Sequence, residues 1–296
     1  MEREVWSILM TALRDASRAR RDPNHHTHST AMVVRVYLWA VLHDRPVSWA
    51  CQRSAWDDRT RPDRLPSQPT MSRRLRTLAV ASVLDALTRR LRGKLDLERL
   101  VVHRIDGKPM GVARHTRDPQ AARGYGAGQF QWGYKLHLVD GGRAMPEAWA
   151  VTPMNASESR VARQLVPRLR GQGYVLGDAN YDDQELYALC QGKGLRFLAP
   201  RRRPRTGLNK AGACHPERLR AIGTLESAGV GGGSFGRTMM RIRRQIETTL
   251  GRWTTHALGF KGLPAWARGL RRVRQWVHAK LLINAAYQHA TERADE

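Results

Sequence analysis

The hydrophobic period changes once along this chain, and the change limits what the two stretches can become. Up to about residue 97 apolar residues recur at helical spacing, through Val5, Ile8, Leu9 and Leu13 and again through Met32, Val33, Val36, Leu38 and Leu42. That spacing lays one apolar stripe on a helix of 3.6 residues per turn. Beyond residue 100 the pattern is different: LVVHRID (100–106), WGYKLHLVD (132–140) and PEAWAVTP (146–153) are β-branched or alternating runs. Glycine-rich stretches, GYGAG and DGG, separate them as turns. SESRVARQLVPRLRG (157–171) then predicts a helix opening at a serine cap, GYVLGDAN (173–180) a buried strand, DDQELYALCQGKG (182–194) a helix ended by glycine, and LRFLAP (195–200) a strand. The order is three strands, helix, strand, helix, strand. A basic, proline-interrupted segment, RRRPRTGLNKAGACHP (201–216), and GVGGG (229–233) lead into helical sequence that runs nearly to the end. The expected organisation is an all-helical region over 1–97 and an α/β domain over 98–290, with a basic insertion at about 201–235.

The helical region holds a loop, DDRTRPDRLPSQPT (57–70), followed by MSRRLRTLAVASVLDALTRRLR. Ser67 or Thr70 is placed to cap that helix, whose first turns carry Arg73, Arg74 and Arg76. With a short helix at 47–53 before it, the arrangement is compatible with a helix-turn-helix derivative, in which these arginines face DNA. A helical bundle packed on the second domain is the alternative.

Charge names the partner class. The chain has 51 Lys plus Arg against 26 Asp plus Glu, a formal net charge of +25. Such a field attracts polyanions, and nucleic acid is the expected partner. Residues 201–280 hold 18 Lys or Arg and three acids, Glu217, Glu226 and Glu247. Arg201, Arg202, Arg203 and Arg205 are candidate phosphate contacts, and arginine suits bidentate phosphate binding. Cys51, Cys190 and Cys214 lie far apart without paired spacing, so a disulfide framework is not expected. With no apolar run of 18 residues and no secretory pattern in MEREVWSILM, the expected location is cytoplasmic, with no membrane contact.

Three short motifs place acids in this cationic chain: IDGKP (105–109), VLGDANYDD (175–183) and RIRRQIETTLG (241–251). Asp106 and Asp178 each follow an apolar run that reads as a strand, and Glu247 lies on a helix. Strand ends and a facing helix bring distant carboxylates together, and hard divalent cations such as Mg²⁺ are bound by such oxygens. Each acid also has a plain structural role open to it. Asp106 before Gly107 suits a turn, Asp178 suits a helix cap, and Glu247 can pair with Arg243 or Arg244 on its own helix. Glu226 competes with Glu247 as the third acid, but it precedes GVGGG, a segment poorly suited to hold a ligand. Lys108, Arg243 and Arg244 are candidate phosphate contacts beside the acids. Among other features, GYGAGQF lacks the Lys and Ser/Thr of a phosphate-binding loop and reads as a turn. His25, His26 and His28 read as a solvated loop with no Cys or acid completing a metal site, and Cys214-His215 is likewise isolated. The nine tryptophans, Trp132 and Trp149 included, read mostly as core. Trp253, after the glutamate helix, is a candidate for stacking on a displaced base.

The element order with its three acids resembles the ribonuclease H-like core of the DDE transposases, and more specifically the insertion-sequence transposases of bacteria. The resemblance rests on IDGKP, on GYKLHLV followed by AWAVTPMNASES, on GDANYDDQELY, on LAPRRR, and on RRQIETTLGRW with KLLINA near the end; PSQPTMSRRLR also resembles the family's leader domain. It implies a mixed ribonuclease H-like sheet flanked by helices, with an all-helical N-terminal domain. It further implies cleavage and strand transfer at terminal inverted repeats of double-stranded DNA and into target DNA. Two Mg²⁺ ions, or Mn²⁺, would sit on Asp106, Asp178 and Glu247, in a homodimer on paired DNA ends. A nuclease on the same fold, or a non-catalytic regulator derived from a transposase, are the other functions considered. The third motif departs from the family's pattern: Arg243 and Glu247 match, but Met240 stands where Tyr is expected and Thr254 where Lys is expected. Those two positions serve a hairpin DNA intermediate in relatives with the full motif, so the resemblance does not extend to that intermediate.

Overall fold

The computed structural model describes residues 1–18, 27–92, 101–113, 117–202, 214–226 and 232–295. The chain falls into two compact units, Met1–Gly93 with Thr255–Ala267 and Arg271–Glu296, and Lys94–Thr254 with Arg268–Leu270.

The first unit opens with α1 (Glu2–Arg18), α2 (Thr30–Leu42), α3 (Val47–Ala50), α4 (Gln68–Arg74) and α5 (Leu78–Arg92). On α1 the periodic residues Val5, Leu9, Ala12, Leu13 and Ala16 are buried, whereas α2 is buried almost all round, as a central helix must be. Ser29 starts α2 by accepting the Met32 N–H at 3.1 Å. Ser67, not Thr70, starts α4, accepting the Thr70 N–H at 3.4 Å. Trp6, Trp39 and Trp56 pack together, and the indole N–H groups of Trp39 and Trp56 donate to the Ala55 and Ala50 carbonyls at 2.9 Å. The helix expected to run unbroken over 71–92 is two helices. Thr77 Oγ1 donates to the Arg74 carbonyl at 2.8 Å and accepts from the Val80 N–H at 3.5 Å, giving the backbone a local alternative to the helical ladder.

The second unit holds β1 (Val101–Gly111), β2 (Ala122–Gly126), β3 (Gln129–Asp140), β4 (Ala148–Pro153), α6 (Glu158–Leu165), β5 (Gly173–Leu176), α7 (Gln184–Gly192), β6 (Leu195–Leu198), α8 (Pro216–Glu226) and α9 (Gly232–Thr255). The sheet runs β4-β3-β1-β5-β6, with β2 also on β3; β1, β3 and β4 pair antiparallel, β1-β5 and β5-β6 parallel. This is the mixed ribonuclease H-like sheet flanked by helices. Ser157 caps α6 through the Arg160 N–H at 3.5 Å, and Asp183 caps α7 through the Leu186 N–H at 3.2 Å. The alternating residues Ile105, Val139 and Val175 join Val161, Leu165, Leu186 and Phe197 in one buried cluster. One strand more precedes α6 than the sequence predicts: GYGAG is the end of β2 and its turn, because β3 offers that segment a free edge to pair with.

The last helix, α10 (Leu270–Asp295), belongs from Arg271 onward to the helical unit. Its Val273, Trp276, Val277, Leu281, Leu282, Ile283 and Ala286 are buried, and a helix apolar on so many sides needs other helices around it. Thr88 and His278 hydrogen-bond at 2.7 Å, Lys280 pairs with Asp44 at 2.7 Å, and His289 meets the Leu91 carbonyl at 2.8 Å. The helical unit is therefore discontinuous in sequence, a difference from the division at residue 97. No described helix is long and apolar enough to cross a membrane.

Candidate active site

Asp106 and Asp178 are brought side by side by one register. In the parallel pair of β1 and β5 the last partners are Arg104 and Leu176. Two residues further along the chain come Asp106, still within β1, and Asp178, just past the end of β5. The expectation that Asp106 ends its strand needs correcting, since β1 continues to Gly111 against β3, with Asp106 opposite Leu138. What ends at Arg104 is the pairing with β5, and the sheet opens there toward its carboxyl edge. Asp178 also keeps its local role: its Oδ1 accepts the Asn180 N–H at 2.8 Å and caps the short turn 179–181.

The third acid arrives on α9. Met239, Ile246 and Leu250 are buried, and the Arg104 guanidinium donates to Gln245 Oε1 at 3.0 Å while pairing with Asp140 at 2.9 Å. These contacts fix the helix rotation so that Arg243 and Glu247, one turn apart, share the face beside the aspartates. Arg243 Nη2 lies 3.7 Å from Asp106 Oδ2 and 3.7 Å from Asp178 Oδ2, and Nη1 donates to Glu247 Oε1 at 3.0 Å. One guanidinium thus stands among all three acids named from the sequence. Glu226 is elsewhere, bound to Arg201 Nε at 2.5 Å.

Burial pushes the Asp106 carboxyl up to about 6; the Gly107 N–H, at 2.8 Å, and Arg243 pull it down without prevailing, and Asp178 and Glu158 push it further up. Sequence reasoning missed Glu158, which opens α6 and is held by Lys135 Nζ at 2.6 Å. A Cβ at position 107 would lie 3.1 Å from its Oε1, so Gly107 makes room for it. Tyr181 is fully buried, its hydroxyl lacks a hydrogen-bond partner, and the charges of Glu158, Asp106 and Asp178 reach it. Lys108, two residues past Asp106 on the same strand face, is half-buried, and burial lowers its pKa.

Among the described residues no three His, Cys, Asp or Glu side chains stand close enough together to hold a metal ion as they are. The donor set nonetheless suits a hard divalent cation. It is all oxygen, its innermost carboxyl is held high by burial and by other acids, and the Arg243 contacts to both aspartates are beyond hydrogen-bond length. Glu247 is 59% exposed, and among the described residues its carboxylate is held by Arg243 alone.

Among the basic candidates, Arg73, Arg76, Arg202 and Arg244 are exposed. Arg74 is not: its guanidinium is buried and donates to the His28 carbonyl at 2.8 Å and Thr30 Oγ1 at 3.0 Å, which takes it out of the DNA-facing set. Arg203 and Arg205, like His25 and His26, lie outside the described residues. The tryptophan readings are exchanged by the structure. Trp253 is 2% exposed and is core, while Trp132 is 57% exposed on the face of β3 that the sheet leaves uncovered.

The model of the transposase DDE domain family matches residues 101–284, a span that contains Asp106, Asp178 and Glu247, and the chain belongs to this family. The solved structure of a piggyBac transposase synaptic complex with hairpin DNA has the same fold. It shares 13% identity over 99% of this chain and 74% of that one, with a TM-score of 0.50. No curated protein matches the chain.

Proposed function

We propose that this chain is a DNA transposase that cleaves DNA at the inverted-repeat ends of an insertion sequence and joins those ends to target DNA. The observation that carries the reading is the convergence of Asp106, Asp178 and Glu247 on Arg243, from a strand, the turn after a second strand and a helix, within a chain of the transposase DDE domain family. Asp106, Asp178 and Glu247 would hold Mg²⁺, with Mn²⁺ as a substitute. When bound, two such ions polarise the phosphoryl group and lower the pKa of an attacking water or 3′-hydroxyl.

The protein's own contribution is charge and position. Asp106, the most buried acid, supplies its negative charge only when deprotonated, above about pH 6. Lys108 shares its strand face and offers an ammonium to a phosphate oxygen. Arg243 changes partners, leaving the acids for a DNA phosphate, to which a guanidinium binds in bidentate fashion. Arg73, Arg76, Arg202 and Arg244 hold the duplex through its backbone, consistent with a net charge of +25. The partner is double-stranded DNA, bound by a homodimer on paired ends; the piggyBac neighbour was likewise solved as a synaptic complex with DNA.

A second reading has one observation in its favour. Arg243 already stands among the acids and offsets part of their charge, as it would in a DNA-binding regulator without catalysis. Plasmid carrying the inverted repeats that flank the gene, incubated with protein and Mg²⁺ and read on denaturing gels, separates the cases. Nicks at the repeat ends followed by joined products are expected. Nicks without joining would make the chain a nuclease, and binding without nicks would make it a regulator.

A further inference from the structure

The ribbon formed by β2 and β3 carries an aromatic face that the acid site does not use. Its two-residue turn has Ala127 at φ 52° and Gly128 at φ 79°, the left-handed pair that a tight hairpin requires. The turn sets the register, in which Tyr125 is opposite Phe130 and Arg123 opposite Trp132. Residues directly opposite in an antiparallel pair share a face, so these four lie together. The other face of the ribbon is closed. A Cβ at Gly124 or Gly126 would come within 2.6 Å of the Met154 carbonyl oxygen or Pro109 Cβ. The aromatic face is open, with Tyr125, Phe130 and Trp132 exposed by 59%, 66% and 57%.

We propose that this face is a stacking platform for unpaired DNA bases. Tyr125 and Phe130 meet edge to face at 5.4 Å, and the Arg123 guanidinium lies 5.3 Å from the centre of the Phe130 ring. Flat rings interleaved with a guanidinium match alternating bases and phosphates: rings take base faces, and the cation takes the backbone. Between residues 119 and 134 the sequence contains no Asp or Glu, so nothing on the ribbon itself repels a polyanion. A second copy of the chain is the weaker occupant. Three aromatics at this exposure offer roughly 350 Å² of surface, less than half of the about 800 Å² per partner that a stable interface buries.

Position supports the same ligand. Asp106 pairs with Leu138, eight residues along β3 from Phe130. That strand path is about 26 Å long, or roughly eight nucleotides at about 3.4 Å each. The inference rests on the transposase reading in this one respect: bases become unpaired near a DNA end that is being cut.

The test uses the full chain without metal, so it does not depend on cleavage. Binding of a labelled single-stranded oligonucleotide and of the same sequence as duplex is measured by fluorescence anisotropy at one salt concentration. Trp132→Ala and Phe130→Ala should each weaken single-strand binding by about 5- to 100-fold and leave duplex binding within about twofold, with Trp132→Phe restoring most of the loss. These side chains are exposed, and unchanged thermal midpoints check that the fold is intact. Equal affinity of wild type and alanine variants for the single strand, or no single-strand binding by wild type, would overturn the platform. So would variants that alter only the sedimentation of the protein, which would assign the face to a second copy. Absence of nicking by wild type would sink the transposase reading and leave this result standing.

Discussion

Arg243 and Glu247 are joined by a 3.0 Å hydrogen bond one turn apart on α9, and the same guanidinium reaches to 3.7 Å from Asp106 and Asp178. An ion pair one helix turn apart whose carboxylate is exposed contributes little to stability. Its importance lies in competition, since Arg243 occupies the space among the carboxylates that a metal ion would need and offsets part of their charge. Replacing Arg243 with Gln should therefore tighten Mn²⁺ binding to the DNA-free protein several-fold, measured by calorimetry, while lowering DNA cleavage. Unchanged Mn²⁺ affinity would show that the guanidinium does not compete.

The acids divide by position. Asp106→Asn, Asp178→Asn and Glu247→Gln should abolish metal-dependent nicking, losing more than the roughly 10- to 100-fold that follows removal of a group that merely orients a metal ligand. DNA affinity should persist, because it comes from the basic residues. Glu226→Gln should retain activity, since Glu226 is bound to Arg201. Nicking by the Glu247 variant and none by the Glu226 variant, at matched stability, would move the third acid to 226.

Arg73, Arg74 and Arg76 are neighbours in sequence with different work to do. Arg74→Ala should cost about 2–3 kcal/mol of stability, the worth of charged hydrogen bonds lost from a buried site, and leave the salt dependence of DNA binding unchanged. Arg73→Ala and Arg76→Ala should change stability by about 0.5 kcal/mol or less and each flatten the slope of log affinity against log salt by about 1. A steep slope retained in both exposed variants would place that helix away from DNA.

Acid should act on the sheet unit through two groups of opposite sign. Burial holds the His137 pKa down at about 4, against an ordinary 6.5. Between those values the unfolded chain binds the extra proton, so stability present at neutral pH is lost as pH falls, by about 3 kcal/mol at pH 4. Asp106 runs the other way: raised to about 6 from an ordinary 3.8, it binds its proton first in the folded state, and stability rises as pH falls from 6 to 4. His137→Gln should therefore flatten or reverse the acid decline of the sheet unit, and Asp106→Asn should steepen it, in denaturation midpoints from pH 7 to 4. His278, also held near 4 by burial, gives the helical unit its own decline.

Most strands and helices of the sheet unit were legible in the sequence, because period and capping act over a few residues. Ser157 and Asp183 cap the helices that follow them, and Ile105, Val139 and Val175 alternate into one core. β2 was not legible, because GYGAG has the composition of a turn and becomes a strand only through the edge of β3. Trp132 and Trp253 could not be sorted by type, since the exposure of each depends on what lies across its face. The burial of Arg74 depends on Thr30 and the His28 carbonyl, more than forty residues away.

By itself the sequence determined the family, the positions of its acidic motifs and the cationic field, since these depend on which residues are present and on their local spacing. Tertiary structure alone decided that Asp106 and Asp178 lie two residues past the same strand partners, that α10 joins the N-terminal helices, and that Arg243 stands among the acids. Sheet register and helix rotation set these relations. Both arise from packing between segments far apart in the chain, for which no local pattern carries the information.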